Sequence, residues 1–180
     1  MVYLFLADGF EIIEALAPVD MLRRAKLCVK TVGVTGKLVT SSCGVAVEAD
    51  IEASDFSYDN VDAIILPGGS DGVINLEKDS FVQSVIDRAI DEDALICAIC
   101  AAPSILGNKG LLKNIKATSY PSYMKYLDGA ELSDEFVIRD GRFITARGAG
   151  AALEFSYELI SALIDNAAAE KLAGNIVWTK

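Results

Sequence analysis

Short apolar runs alternate along the chain with longer stretches of helical period. Val2–Leu6 is apolar throughout and predicts a buried strand. Glu11–Ala25 carries apolar residues at 12, 13, 16, 19, 22 and 25, the spacing of a helix. Val29–Val34 predicts a second strand, and Lys37–Glu48 a small β excursion around Ser41, Ser42 and Gly44. Val61–Leu66 is a further apolar strand, stopped by Pro67-Gly68-Gly69. Ser80–Glu92 has Phe81, Val82, Val85, Ile86 and Ala89 on one helical side, and Ala94–Ile99 is again a buried strand. Ala101–Leu106 predicts a helix with Pro103 in its first turn, where proline is tolerated. Lys116–Ser119 and Glu135–Thr145 read as strands, the latter a hairpin turning at Asp140-Gly141. Ala151–Ile164 is the last long helix; Asp165-Asn166 favours a break, and Ala167–Leu172 continues helically.

Strands that are apolar on both sides and alternate with helices imply a mainly parallel sheet covered on both faces. The expected architecture is a doubly wound α/β domain over 1–180, with no linker or repeat. Such sheets place their sites at the carboxyl ends of the strands.

Charge narrows the partners. Lys and Arg total 16 against 26 Asp and Glu, a net charge of −10. Nucleic-acid binding needs surplus cations, and anionic membrane surfaces repel the same acidic balance, so neither partner is expected. No run approaches a membrane span, no basic region precedes the apolar opening as in a signal peptide, and the expected location is cytoplasmic. Cys28, Cys43, Cys97 and Cys100 are accordingly expected as reduced thiols. The chain has no histidine, which removes Ser-His-Asp and Cys-His triads and imidazole metal sites. Acid–base work falls to carboxylates, thiols, amines or tyrosine.

Four stretches could carry chemistry. In Leu95–Ser104 a buried strand runs directly into a helix with Cys100 at the junction, and Ala98, Ala101 and Ala102 leave room for a sharp turn. That is the layout of a nucleophile elbow, in which following backbone N–H groups face an oxyanion and favour a thiolate. A cysteine packed as a small hydrophobe fits the same segment. Cys97-x-x-Cys100 also has redox spacing, but Cys97 falls inside the strand, three residues from Cys100 and so on the opposite face. In Asp8–Glu14, Glu11 and Glu14 occupy a first helical turn, where acids are at home. Glu14, among Ile12, Ile13, Ala15 and Leu16, is also expected partly buried with a raised pKa, and Pro18 should distort the helix by removing a donor to the Glu14 carbonyl. Leu66–Gly72 is a plain turn or a close backbone approach to a ligand, without the Gly-Lys-Ser/Thr of a phosphate loop. Arg147-Gly148-Ala149-Gly150 opens the last long helix, where an arginine could hold an anion.

Taken together these stretches resemble the ThiJ/PfpI family, in the branch of the parkinsonism-associated protein deglycase and its bacterial relatives. The resemblance lies in Gly9-x-Glu11-x-x-Glu14-x-x-x-Pro18-Val19-Asp20-x-x-Arg23-Arg24-Ala25, in Leu66-Pro67-Gly68-Gly69, in Ala98-Ile99-Cys100-Ala101-x-Pro103, and in Arg147-Gly148-x-Gly150 with Glu154-Phe155. It implies a flavodoxin-like three-layer sandwich, usually a homodimer, with no cofactor. It implies that Cys100 is the reactive, readily oxidised cysteine and that Glu14 is the protonated carboxyl hydrogen-bonded to its thiolate. The N–H groups of Gly69 and Ala101 match the oxyanion or anion site, and Arg24 and Arg147 match arginines near the site and the dimer contact. The chain departs from the pattern in three places. Ser119-Tyr120-Pro121 stands where relatives have Thr-His-Pro, and a phenol, which donates a hydrogen bond more readily than it takes a proton, is a poor replacement for a histidine base. Ala101 stands where protease members carry histidine, so protease activity lacks its base, and Cys43 stands where relatives hold arginine. The implied activity is cofactor-free conversion of methylglyoxal-like 2-oxoaldehydes or their early adducts; the alternative is a non-catalytic oxidative-stress sensor or chaperone that uses the same cysteine. On the sequence, Cys100 is expected to be a thiolate near neutral pH, with the strand-tip position and the helix start at Ala101 outweighing burial.

Overall fold

The computed structural model describes residues 1–179. In chain order the strands are β1 (Val2–Leu6), β2 (Val29–Gly33), β3 (Leu38–Thr40), β4 (Ala46–Glu48), β5 (Ile51–Glu52), β6 (Ala63–Leu66), β7 (Leu95–Ile99), β8 (Lys116–Ala117), β9 (Glu131–Leu132), β10 (Val137–Asp140) and β11 (Phe143–Ala146). The helices are α1 (Ile12–Arg24), α2 (Ser70–Lys78), α3 (Ser80–Asp91), α4 (Pro103–Asn108), α5 (Ala152–Leu163) and α6 (Asn166–Asn175). Seven strands form the central sheet in the order β10-β11-β7-β6-β1-β2-β5, parallel except for the β10–β11 hairpin. This is the doubly wound α/β architecture expected from the alternating pattern, and the flavodoxin-like sandwich that the resemblance implies.

Both sheet faces are apolar because both are covered. Along β1, Val2, Leu4 and Leu6 pack with Val19 and Leu22 of α1 and Phe155 and Leu159 of α5. Tyr3 and Phe5 point the other way, toward Leu76 of α2, Ile86 of α3 and Ile105 of α4. The period-two alternation of a strand thus divides one apolar run between two cores.

The differences from expectation are local. Ser70–Lys78 is a full helix, although the glycines before it read as a turn; Gly69 caps it, and Val73 and Leu76 supply its buried side. Lys116–Ala117 does not join the main sheet but pairs in parallel with β9. The proposed continuation after Asp165 is a separate helix, with the Asp165 carboxylate accepting from the Ala168 N–H. Helix α1 runs through Pro18 as one element, as the helical period over Glu11–Ala25 predicts, and Pro18 is buried. No helix among the described residues is long and apolar enough to cross a membrane.

From β1 the chain crosses to β2 on one side of the sheet and then returns to β6 and β7 on the other. The reversal leaves a crevice at the carboxyl ends of β1, β6 and β7. The segments that follow these three strands begin at Ala7, Pro67 and Cys100, and they carry three of the four stretches singled out in the sequence.

Candidate active site

Strand β7 pairs with β11, and the Cys100 N–H extends that ladder by donating to the Ala146 carbonyl at 2.8 Å. The chain then turns sharply. Cys100 has φ of +65°, in the left-handed region that costs an L-residue about 1 kcal/mol or more. Its own carbonyl accepts from the Tyr120 N–H at 2.7 Å, so both backbone groups are tied down at the bend. Non-glycine strain of this kind, held by surrounding hydrogen bonds, is the backbone signature of a nucleophile elbow. Helix α4 begins at Pro103, two residues later than expected, and has only six residues. The Ala101 N–H therefore acts on the sulfur as a single direct donor and not as the start of a long dipole.

Glu14 is 1% exposed, although it lies in the first turn of α1. Its Oε2 accepts from the Gly68 N–H at 3.0 Å, and it also accepts from the Cys100 thiol and the Ala149 N–H. Burial pushes the carboxyl up to about 7 against these hydrogen bonds. On the thiol, burial acts first and the adjacent Glu14 charge second, and together they push Cys100 up to about 12 despite the N–H groups of Ala101 and Gly69. Burial and mutual contact thus raise both groups, so at neutral pH the two share one proton, and the thiolate expected from the sequence is present when that proton sits on Glu14.

Two glycines make the contact fit. A Cβ on Gly68 would lie 2.3 Å from Glu14 Oε2 and 2.6 Å from Cys100 Cβ. A Cβ on Gly69, where φ is +90°, would lie 2.2 Å from the Gly9 carbonyl oxygen. The Gly68→Ala variant should therefore separate the thiol from its carboxylate. Overpacking of this kind costs about 1–3 kcal/mol, so the melting temperature should fall together with Cys100 reactivity, as checked by thermal unfolding and iodoacetamide alkylation.

The structure brings Cys100, Glu14, Gly69, Ala101 and Tyr120 together around one open cleft of about 440 Å³. It does not bring Arg24 there. Arg24 sits at the far end of α1, ion-paired with Asp20 at 2.8 Å and beside α6. The Arg147 backbone adjoins the site, but its side chain donates to the Asp134 carbonyl at 2.9 Å. Cys97 is completely buried, and its thiol is raised by that burial. It packs in the same core that Cys100 borders, because the left-handed bend at Cys100 undoes the alternation that would have put them on opposite faces. All four cysteines are free, and Cys28 and Cys43 are exposed.

Two contributors were not anticipated. Ser42 reaches the cleft from the β3–β4 turn and donates to Glu11 Oε2 at 3.0 Å. The Ala149 N–H reaches Glu14 past Gly148, whose added Cβ would lie 3.7 Å from Glu14 Oε1 and 3.8 Å from the Cys100 sulfur. The Gly-x-Gly spacing was the visible signal for the second contributor, and it pointed to backbone and not to the arginine. Among the described residues, no group of three or more His, Cys, Asp or Glu is placed to hold a metal ion.

A cysteine at a left-handed bend on a strand tip, in contact with a buried carboxyl, sits at the crevice of a flavodoxin-like α/β sandwich. The profile of the DJ-1/PfpI family matches residues 1–162, and the chain belongs to that family. It is 34% identical over 172 residues to Protein dj-1beta of Drosophila melanogaster, covering 94% of this chain and 87% of the relative. It is 30% identical over 158 residues to a protein of Caenorhabditis elegans named glutathione-independent glyoxalase, covering 87% of this chain and 84% of that one. Among solved structures, a DJ-1 superfamily protein from Salmonella typhimurium, a cysteine-to-alanine mutant, superposes with a TM-score of 0.95 at 31% identity, covering 99% of this chain and 98% of that one.

Proposed function

We propose that the protein is a cysteine-dependent, cofactor-free enzyme of the glyoxalase or deglycase type, acting on methylglyoxal-like 2-oxoaldehydes or their early adducts. The observation that carries this reading is the Cys100–Glu14 pair: a nucleophile hydrogen-bonded to a carboxyl pushed up to about 7, both lining one cleft. The glyoxalase name of the Caenorhabditis elegans relative supports it.

The chemistry needs no external oxidant. As the Cys100 sulfur bonds to the aldehyde carbon, its proton passes to Glu14 and the carbonyl oxygen becomes an oxyanion facing the Gly69 and Ala101 N–H groups. Protonation gives a hemithioacetal. Glu14, ionised again, removes the hydrogen from that carbon and returns a proton to the neighbouring ketone carbon through an enediol. The former aldehyde carbon is thereby oxidised to a thioester and the ketone carbon reduced to an alcohol. Water then cleaves the thioester, releasing the 2-hydroxy acid and restoring the thiol. Overall, one oxoaldehyde and one water give one hydroxy acid.

Because Glu14 must be ionised to take the thiol proton, activity depends on the pair having lost its first proton. Turnover is expected to fall about tenfold per pH unit below about 7 and to level off above it. A flat profile between pH 5 and 8 would contradict Glu14 as the base.

The same site supports a second reading, an oxidation sensor, since the Gly69 and Ala101 N–H groups that face the sulfur would equally hold sulfinate oxygens. Methylglyoxal turnover by purified protein, lost in Cys100→Ser, separates the two readings in favour of the first.

We also propose a homodimer through α1. Met21 and Leu22 are buried in the protomer's own core, whereas Ile13 is exposed and Leu16 half-buried. Ile13 is 52% exposed on a helix that otherwise packs well, a residue suited to a self-complementary contact. Sedimentation at micromolar concentration should give twice the chain mass; a monomer there rejects the contact.

A further inference from the structure

Tyr120 forms one edge of the cleft over Cys100. A second groove of about 340 Å³ lies beyond it, lined by Tyr120, Phe136, Arg147, Gly148 and Ala149 among others. The two hollows share Tyr120 and Ala149, so they adjoin. Gly148 lines the second groove and brings it close to the sulfur: a Cβ there would sit 3.5 Å from the Tyr120 ring and 3.8 Å from the Cys100 sulfur. Tyr120 is 49% exposed and Phe136 57% exposed. Isolated exposed aromatics are ordinary on a protein surface. Two that line one groove beside the Cys100 cleft are a different arrangement, because a flat apolar group seated in that groove would cover part of both rings. Arg147 braces the rim through its bond to the Asp134 carbonyl. The three-carbon chain of methylglyoxal, held at the sulfur, would leave this groove empty.

We propose that the Tyr120–Phe136 groove receives the substituent of the oxoaldehyde and selects aryl or other flat apolar groups over methyl. The proposal rests on Cys100 as the carbonyl-attacking thiol and names the substrate class that this thiol meets. Phenylglyoxal would place its ring in the groove while its aldehyde carbon reaches the sulfur, and the same internal transfer would convert it, with one water, to mandelate.

The test has two arms on the intact protein. The first compares Cys100 alkylation by phenacyl bromide and by bromoacetone, read by peptide mass spectrometry and normalised to the same ratio for N-acetylcysteine. Each reaction forms one C–S bond and releases bromide, so neither needs turnover. The second compares kcat/KM for phenylglyoxal and methylglyoxal. The normalised preference for the aryl reagent and the kcat/KM ratio are each expected to favour the aryl compound about tenfold or more, the scale of an added hydrophobic contact. Both should fall by about that factor in Phe136→Ala, whose side chain is exposed enough to remove without unfolding the protein. Aryl preference in alkylation with no turnover of either oxoaldehyde keeps the groove and rejects the enzymatic reading. Methylglyoxal turnover with no aryl preference in either arm keeps the enzyme and rejects the groove. An aryl preference that survives in Phe136→Ala rejects the groove as placed here, and failure of Cys100 to react with either bromide rejects both.

Discussion

Replacing Cys100 with alanine is expected to reduce 2-oxoaldehyde turnover to the level of protein-free buffer, a loss of at least about a thousandfold, while leaving the fold in place. The size follows from the division of labour at the site. The covalent bond to sulfur makes the rest of the sequence available, so without it Glu14 has no hemithioacetal on which to move a proton. The fold should survive because the bend is held by backbone bonds, Cys100 N–H to Ala146 and Tyr120 N–H to Cys100, and alanine retains both. Stopped assays with methylglyoxal, together with far-UV circular dichroism of the variant, check both halves. Residual turnover within tenfold of wild type would remove Cys100 from the mechanism.

The second large effect is at Glu14 and has opposite signs for activity and stability. Glu14→Gln keeps an acceptor for the Gly68 N–H but cannot take a proton, so turnover should fall about a hundredfold to ten-thousandfold, the range for deleting a general base. Stability should move the other way. Burial raises the native carboxyl from 4.5 to about 7, so between those pH values the native state holds a proton that the unfolded chain has released. Native stability therefore falls as pH rises through this window, by on the order of 3 kcal/mol, and is level above it. Glutamine carries no charge and escapes this loss. The variant's advantage in melting temperature should be larger at pH 8 than at pH 5. An equal difference at both pH values would mean that Glu14 is not a buried carboxyl with a raised pKa. Low turnover combined with raised stability at pH 8 is what distinguishes a functional buried acid from a structural one.

The parts of this arrangement that were readable in the sequence are those fixed by short-range pattern. Val2–Leu6 and the strand before Cys100 are continuous apolar runs, and only a strand buried on both faces uses such a run. Cys100, Glu14, Gly69 and Ala101 lie at the ends of three such runs, and the reversal of strand order gathers those ends at one crevice. Helix α2 was hidden because its glycine-rich approach carries the composition of a turn, while its buried side is only Gly72, Val73 and Leu76. Arg24 was misplaced because adjacency in a motif says nothing about distance along a helix. Ten residues separate it from Glu14, and at 1.5 Å per residue that is about 15 Å. The protonation state of Cys100 was out of reach for a different reason. It depends on the depth at which Gly68 and Gly148 allow Glu14 to press against the sulfur, and that contact joins segments far apart in the chain.

The central claim is that the Cys100–Glu14 pair rearranges a 2-oxoaldehyde within the protein, without a cofactor. The most direct measurement is proton NMR of methylglyoxal incubated with the purified, chelator-treated protein at pH 8. The account predicts lactate accumulating through many turnovers per chain. Disappearance of methylglyoxal without lactate, or no change beyond one equivalent of protein-bound adduct, would contradict it.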